Sequence, residues 1–291
     1  MDSREIYRDY CEDVNPDYKY FFFDIFDPAQ YIDPDKASSG LYDAIYKLFF
    51  YDYRKMINNG IKCVNLVGQK RKDGLFYSFF LYDKLNEKGY PDTNKEPDFI
   101  LSADCLGPSK FQSMNIAGLS IDEVKSNIEN SRTLGGHIIW PRGDTLHYKI
   151  NEVRGGCIKK KCDYGFYDRT DWTFLLLKQY YEVINDNNQR ERLKKYIAGI
   201  NVFFPEQEIS VQDWECFEVL FKAFDVSRSW FLKFKSFIVF SDFFKIKGSF
   251  VDDLYNVVEL TSYFPIKPDK EGYLKYIENN LNAITVRNSN I

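Results

Sequence analysis

The stretch between residues 134 and 181 constrains the fold most, because its hydrophobic pattern changes from that of a strand to that of a helix. Two glycine pairs divide it: Gly135-Gly136 precede a short apolar run, and Gly155-Gly156 follow a second segment. A glycine pair interrupts regular structure because glycine loses more backbone entropy on folding than any other residue. The stretch therefore predicts two short elements followed by a helix.

The segments between the two glycine pairs predict a β-hairpin. His137–Trp140 is an apolar run that suits a buried strand, and Arg142-Gly143-Asp144 is typical of a turn. From Leu146 to Val153, apolar and polar residues alternate, which is the period of a half-buried strand. We therefore expect two paired strands, followed by a basic loop that contains cysteine.

A helix is predicted after this loop. Asp168 or Thr170 is expected to cap it by accepting a hydrogen bond from a free N–H group of its first turn. The apolar face of this helix is expected to contain Trp172, Leu175, Leu176, Tyr180 and Val183.

The rest of the chain predicts strands first and helices later. Strands are predicted at 61–68, 75–82 and 99–105, and Ser120 to Glu123 form a capping box that predicts a helix start. Further helices are predicted at 191–200, 211–224, 231–244, 250–260 and 270–284. We therefore predict one α+β domain over 1–291, with an antiparallel or mixed sheet in its sheet-rich part, 1–165, and a mostly helical part at 166–291.

Aromatic residues dominate the expected core. The chain has 26 phenylalanines and 22 tyrosines, which predicts a core filled largely by rings. The alternative is an aromatic surface that meets a partner or a second copy. The formal net charge of −4 gives no global field toward nucleic acid or an anionic membrane, although a local basic patch remains compatible with it.

The sequence also predicts a cellular setting. Six cysteines at irregular spacing suit reduced thiols in the cytoplasm. No apolar run approaches the roughly 20 residues that a membrane helix needs, and the charged first residues do not resemble a signal peptide. We therefore expect a cytoplasmic protein that has no membrane partner. Its oligomeric state is not predicted.

Four side chains suggest a zinc site as one alternative. His137, His147, Cys157 and Cys162 have the spacing H-x9-H-x9-C-x4-C, and a hairpin would bring them near one another. This spacing differs from the tight pairs of common zinc fingers, and ordinary thiols and structural histidines explain the same residues. No cofactor is therefore predicted, with zinc kept as the alternative.

A second possible metal site consists of carboxylates, namely Asp104, Asp144, Glu152, Asp168 and Asp171.

Acid–base catalysis is a further alternative. Two imidazoles, those of His137 and His147, would give and take a proton, as in metal-independent ribonucleases. Tyr148, Lys149 and Arg154 would stabilise a phosphate. Of the residues able to handle a proton, we select His147 and Asp168 as the catalytic candidates.

The favoured candidate is an anion or nucleotide pocket. Its predicted members are Arg142, Lys149, Asn151, Arg154 and Arg169. Arginine offers a planar, bidentate fork to phosphate, and neighbouring glycines permit close approach of the backbone. The alternative is internal: Arg154 and Arg169 would pair with Asp104, Asp168 or Asp171 and hold the hairpin against the helix.

Several motifs together resemble an uncharacterised bacterial family. They are GG-x(4)-P at 135–141, I-N-x-x-R-G at 150–155 and D-R-x-D-x-T at 168–173, with weaker similarity in L-S-x-D at 101–104 and R-N-x-x-I at 287–291. The family has no assigned reaction, so the resemblance implies a coherent domain and supplies no chemistry.

Two functions therefore remain open at this stage. The first is a cytoplasmic bacterial enzyme or sensor that binds a phosphate-bearing ligand, either a nucleotide or RNA, in an Arg/Asn/Asp-lined pocket. The second is a non-enzymatic interaction or structural module with an aromatic helical surface. Because no P-loop, Rossmann or nucleophile-elbow motif is present, nucleotide triphosphatases, dinucleotide-binding enzymes and α/β-hydrolases are disfavoured.

Overall fold

The structure is a computed structural model of the chain. It describes residues 65–70, 77–82, 87, 94–107, 118–120, 122–123, 131, 133–141, 150–155, 168–203, 211–261 and 269–291. Within these residues an antiparallel sheet precedes a series of helices. The predicted α+β class, with strands before helices, is thereby confirmed.

The sheet is a four-stranded meander in the order β1-β2-β3-β4. Its strands are β1 (Asn65–Lys70), β2 (Tyr77–Tyr82), β3 (Phe99–Cys105) and β4 (His137–Pro141). Each strand pairs antiparallel with the next, and at the end of β3 Cys105 lies opposite His137. Every residue of β4 is buried, which agrees with the apolar run that predicted it.

Seven helices follow in the described part of the chain. They are α1 (Ile150–Gly155), α2 (Thr170–Val183), α3 (Gln189–Phe203), α4 (Val211–Val226), α5 (Arg228–Phe231), α6 (Phe237–Phe243) and α7 (Lys270–Asn290). A short 3-10 turn, Leu134–Gly136, precedes β4. The predicted capping box is also present, because Ser120 N donates to Glu123 Oε2 (2.6 Å) and Glu123 N donates to Ser120 Oγ (3.3 Å).

The prediction of a second hairpin strand is wrong for those of its residues that the structure describes. Residues 150–153 belong to α1, and the residues before them in the predicted strand lie outside the described part. Ile150, Val153 and Arg154 are all buried, and they are spaced three and four apart, as on one face of a helix. The alternation in the sequence was short enough to fit both periods.

The helix predicted at 250–260 is also wrong. Asp252 accepts hydrogen bonds from the backbone N–H of Leu254 (2.9 Å) and of Asn256 (2.7 Å), which holds a turn in place of a helix. Tyr255 has a φ of 62°, in the left-handed region that a right-handed helix cannot use.

Aromatic rings form much of the described core. Helix α4 packs against α1, α2 and α3, and its inward rings meet those of the other helices. Trp172 of α2 stacks on Phe217 at 5.3 Å between ring centroids, and Phe240 lies 6.0 Å from Trp140 of β4. The prediction of an aromatic core is therefore confirmed for these rings, which are buried.

A buried ion pair joins α3 to α4. Arg192 donates from Nε to Asp225 Oδ1 (2.8 Å) and from Nη2 to Oδ2 (2.9 Å). The hydroxyl of Tyr180 also donates to Asp225 Oδ1 (3.0 Å). Among the described hydrogen bonds, none joins this pair to Arg154.

The described cysteines differ in state. Cys105 is a buried free thiol, whereas Cys216 on α4 is disulfide-bonded. The expectation of reduced thiols therefore fails at Cys216. None of the described helices is both long enough and apolar enough to cross a membrane.

Candidate functional site

Arg154 lies where β3 ends against α1 and α2. Its side chain is almost completely buried, with 1% of the residue exposed. Nη1 donates to Asp104 Oδ2 (2.6 Å) and to the carbonyl of Cys105 (3.0 Å). Because the side chain of Asp104 is 16% exposed, this ion pair reaches from the interior toward the solvent.

The other donors of Arg154 point to the first turn of α2. Nε donates to Thr173 Oγ1 (3.1 Å), and Nη2 donates to Thr170 Oγ1 (3.0 Å). Burial opposes the charged form of Arg154, but the carboxylates of Asp104 and Asp168 outweigh it and raise the pKa of the guanidinium. Arg154 is therefore a charged residue whose donors are used inside the protein.

Neither Asp168 nor Thr170 is the N-cap residue of α2, so the predicted cap is wrong. The N-cap residue is Arg169, which makes no side-chain capping bond, and Asp168 has a left-handed φ of 58°. The N–H of Thr170 instead donates to the hydroxyl of Tyr276 on α7 (2.8 Å). That hydroxyl donates in turn to the carbonyl of Asp168 (2.8 Å). A tyrosine that is distant in the sequence therefore supplies the acceptor for the first N–H group of α2.

Tyr276 remains a neutral phenol in this position. Burial, followed by the nearby Asp171 carboxylate, raises the pKa of its hydroxyl above its ordinary value. The neutral form can both accept and donate, which is what the two hydrogen bonds at the start of α2 require.

Arg169 forms a second buried ion pair next to the first. Nε and Nη2 donate to Oδ1 (3.2 Å) and Oδ2 (2.7 Å) of Asp171. The guanidinium carbon lies 5.7 Å from the ring centroids of both Trp172 and Tyr276. Nη1 is buried and has no hydrogen-bond partner among the described residues.

Sequence reasoning did not select Arg287 and Asn288 as site residues, although both are buried. Arg287 Nη1 donates to the carbonyls of Gly135 and His137 (2.6 Å each), and Nε and Nη2 donate to the carbonyl of Phe244 (3.0 and 2.8 Å). Burial lowers the pKa of Arg287 to about 9. The only sequence signal for these residues was the R-N-x-x-I similarity.

Several predicted site residues lie outside the described part of the chain. They are Arg142, His147, Lys149, Cys157 and Cys162. Asn151 lies in α1, where only its backbone is described. The predicted pocket is therefore described only at Arg154 and Arg169, which border the same helix start but pair with different carboxylates.

His137 is the described member of the predicted zinc set. It is buried on β4, and its Nδ1 lies 2.6 Å from the carbonyl of Thr133, a hydrogen bond that fixes the ring. In the part of the chain that the structure describes, no three His, Cys, Asp or Glu side chains lie close enough to hold a metal ion.

The described charges around the start of α2 come from arginines and aspartates that lie close together. Arg154 pairs with the carboxylate of Asp104 and Arg169 with that of Asp171, and the charge of the buried Asp168 also acts on Arg154. Counted over the described residues alone, this group has no surplus positive charge. The arrangement of Arg154 suits the internal alternative, in which its ion pair with Asp104 holds α1 to β3 and its bonds to Thr170 and Thr173 hold α1 to α2.

The comparisons with known proteins concern the family alone. No curated protein and no solved structure matches the chain. A family model described as a family of unknown function, DUF6994, matches residues 17–206, which is more than half of the 291 residues. The predicted resemblance to an uncharacterised family is thereby confirmed, and the chain belongs to DUF6994.

Proposed function

We propose that this chain is a non-enzymatic interaction module whose buried arginines stabilise the domain. The observation that carries this proposal is the burial of Arg154 at 1% exposure, with Asp104, Thr170 and Thr173 as its side-chain partners. An arginine that holds a ligand needs donors directed at that ligand, and here Nε, Nη1 and Nη2 each have an acceptor in the protein.

The cost of freeing Arg154 supports the same proposal. A ligand that recruited its guanidinium would break the ion pair with Asp104 and remove the donor from two threonine hydroxyls. A buried polar group left without a partner costs about 1–3 kcal/mol, and more if it is charged. Ligand binding through Arg154 would have to offset that loss before any net affinity appeared.

Partner contacts would then come from exposed side chains. The described aromatic rings of α4 and α6 lie largely in the core, so an aromatic surface is not the feature that we propose. The most exposed large apolar side chains described are Val202 on α3 (81%) and Leu254 in the 252–256 turn (80%).

Thermal melts with phosphate-bearing compounds test this proposal. The parent chain would be melted with inorganic phosphate, a nucleoside monophosphate, a nucleoside triphosphate and a short single-stranded RNA, with sodium chloride at matched ionic strength as control. A ligand present at 100 times its Kd stabilises by about 2.7 kcal/mol, which raises Tm by about 4 °C for a chain of 291 residues. We expect no such shift, and a reproducible shift with any of these compounds would overturn the proposal.

A second candidate is a phosphate-bearing ligand, either a nucleotide or RNA, bound by an enzyme or sensor. The observation that favours it is Arg169 Nη1, a buried donor without an acceptor among the described residues. In this alternative Arg142, Lys149 and Asn151 would complete the pocket, and His147 or Asp168 would handle a proton. A Tm shift that disappears in Asn151→Ala but persists in the exposed Arg190→Ala would support it; the absence of any shift in the parent would sink it.

A further inference from the structure

Two groups of buried polar residues meet at the ends of β3 and β4. We infer that Arg287-Asn288 of α7 and the Asp104–Arg154 ion pair form one cooperative unit, so that a change in the last turn of α7 alters the ion pair. The inference goes beyond the proposed function, because it assigns a conformational coupling between two places on the molecule.

The first link is between α7 and the turn before β4. Asn288 Oδ1 accepts from the N–H of Gly135 (2.6 Å), and its Nδ2 donates to Thr133 Oγ1 (3.0 Å). Together with the bonds from Arg287 to the carbonyls of Gly135 and His137, these contacts fix both polar groups of the Gly135 backbone.

The second link is between that turn and β3. The N–H of Leu106 donates to the carbonyl of Gly136 (2.7 Å), and Cys105 pairs with His137 in the β3–β4 ladder. The end of β3 therefore takes its position from the turn that α7 holds.

The third link returns to the ion pair. The carbonyl of Cys105 accepts from Arg154 Nη1 (3.0 Å), and the carbonyl of Leu106 accepts from Thr170 Oγ1 and from Asn280 Nδ2 of α7. Residues 105 and 106 are thus bonded to the turn before β4 on one side and to α1, α2 and α7 on the other.

The packing at the turn leaves little room for these links to move independently. A Cβ added at Gly135 would lie 2.3 Å from Asn288 Oδ1, and one added at Gly136 would lie 1.9 Å from the carbonyl oxygen of Ser131. A close-packed interior transmits a displacement because no space absorbs it. Since coupling between two places is reciprocal, a change at the partly exposed Asp104 also alters the last turn of α7.

A double-mutant cycle between Asn288→Ala and Asp104→Asn tests the coupling. Neighbouring residues in one network interact, whereas independent sites add. We expect the unfolding equilibrium constant of the double variant to differ by about fivefold or more from the product of the single effects. The control cycle pairs Asn288→Ala with Asp225→Asn, and there we expect agreement within about twofold.

Native-state hydrogen exchange gives a second readout on the same variants. In Asn288→Ala we expect faster exchange at the amides of Leu106 and Asp168, which donate to Gly136 and Arg154, as well as at Gly135. If Asn288→Ala does not fold, Thr133→Val removes the partner of Asn288 Nδ2 more gently. Additive effects in the cycle, with faster exchange confined to Gly135, would overturn the inference.

Discussion

The aromatic core and the polar network around Arg154 stabilise the molecule in different ways. In the core, rings such as Phe231, Phe234 and Phe240 each contact several other rings at centroid distances of 4.7–6.4 Å, without any one required donor or acceptor. In the network, each bond of Arg154 joins a particular donor to a particular acceptor. The core therefore depends on volume, and the network depends on exact chemical identity.

This difference bears on where function is sought. Charged residues in motifs are usually the first candidates for a site. Of the predicted arginines, the structure describes Arg154 and Arg169, and both are buried in ion pairs.

Removing a ring should have the largest effect. Phe240→Ala would leave a cavity among Trp140, Phe234 and Phe244, and we expect the free energy of unfolding to fall by about 3–5 kcal/mol. Urea denaturation measures this. A loss below about 1 kcal/mol would show that the core collapses around the cavity, against the close packing described above.

A conservative change in the network should also be costly. Arg154→Lys keeps the charge but loses the fork that reaches Thr170 and Thr173 while also binding Asp104. We expect the free energy of unfolding to fall by about 2 kcal/mol or more, because buried acceptors lose their donors. The matched control is Arg190→Lys at an exposed position, which should change the free energy of unfolding by less than about 0.5 kcal/mol.

A conservative change in the core should be mild by contrast. Leu220 on α4 is fully buried, and Leu220→Met preserves its approximate volume. We expect the free energy of unfolding, measured with denaturant, to fall by less than about 1.5 kcal/mol. A loss equal to that of Arg154→Lys would remove the distinction between the two regions.

The smallest effect concerns pH at the capping box. The backbone hydrogen bond from Ser120 lowers the pKa of Glu123 below its ordinary 4.5, so its ionised form contributes stability that is lost as pH falls through the folded-state pKa. We expect the parent to lose more Tm between pH 6 and pH 3 than Glu123→Gln does. Equal losses in the two proteins would contradict this role.

Sequence patterns predicted the elements that have a clear period. The strand at 99–105 and the helices now seen at Gln189–Phe203 and Lys270–Asn290 were found because their apolar residues recur regularly. The helix at Ile150–Gly155 was missed because so short a segment fits two periods. The opposite charges of Arg154 and Asp104 made their pairing one of the predicted alternatives, but charge alone does not choose between an internal partner and a ligand.

Partners that are far apart in the sequence were not predictable. Tyr276, which satisfies the start of α2, is 106 residues from Thr170, and Arg287 is 152 residues from Gly135. No local period or spacing connects such pairs, because their contact depends on how the helices pack on the sheet.

The most direct test of a structural role for Arg154 compares three proteins by urea unfolding: the parent, Arg154→Ala, and Arg154→Ala with Asp104→Ala. Because the single variant removes the guanidinium that pairs with Asp104 and donates to Thr170 and Thr173, we expect its free energy of unfolding to fall by about 3–5 kcal/mol, and we expect the double variant to regain at least about 1 kcal/mol of that loss. If Arg154→Ala is as stable as the exposed control Arg190→Ala, Arg154 does not stabilise the domain and the account is contradicted.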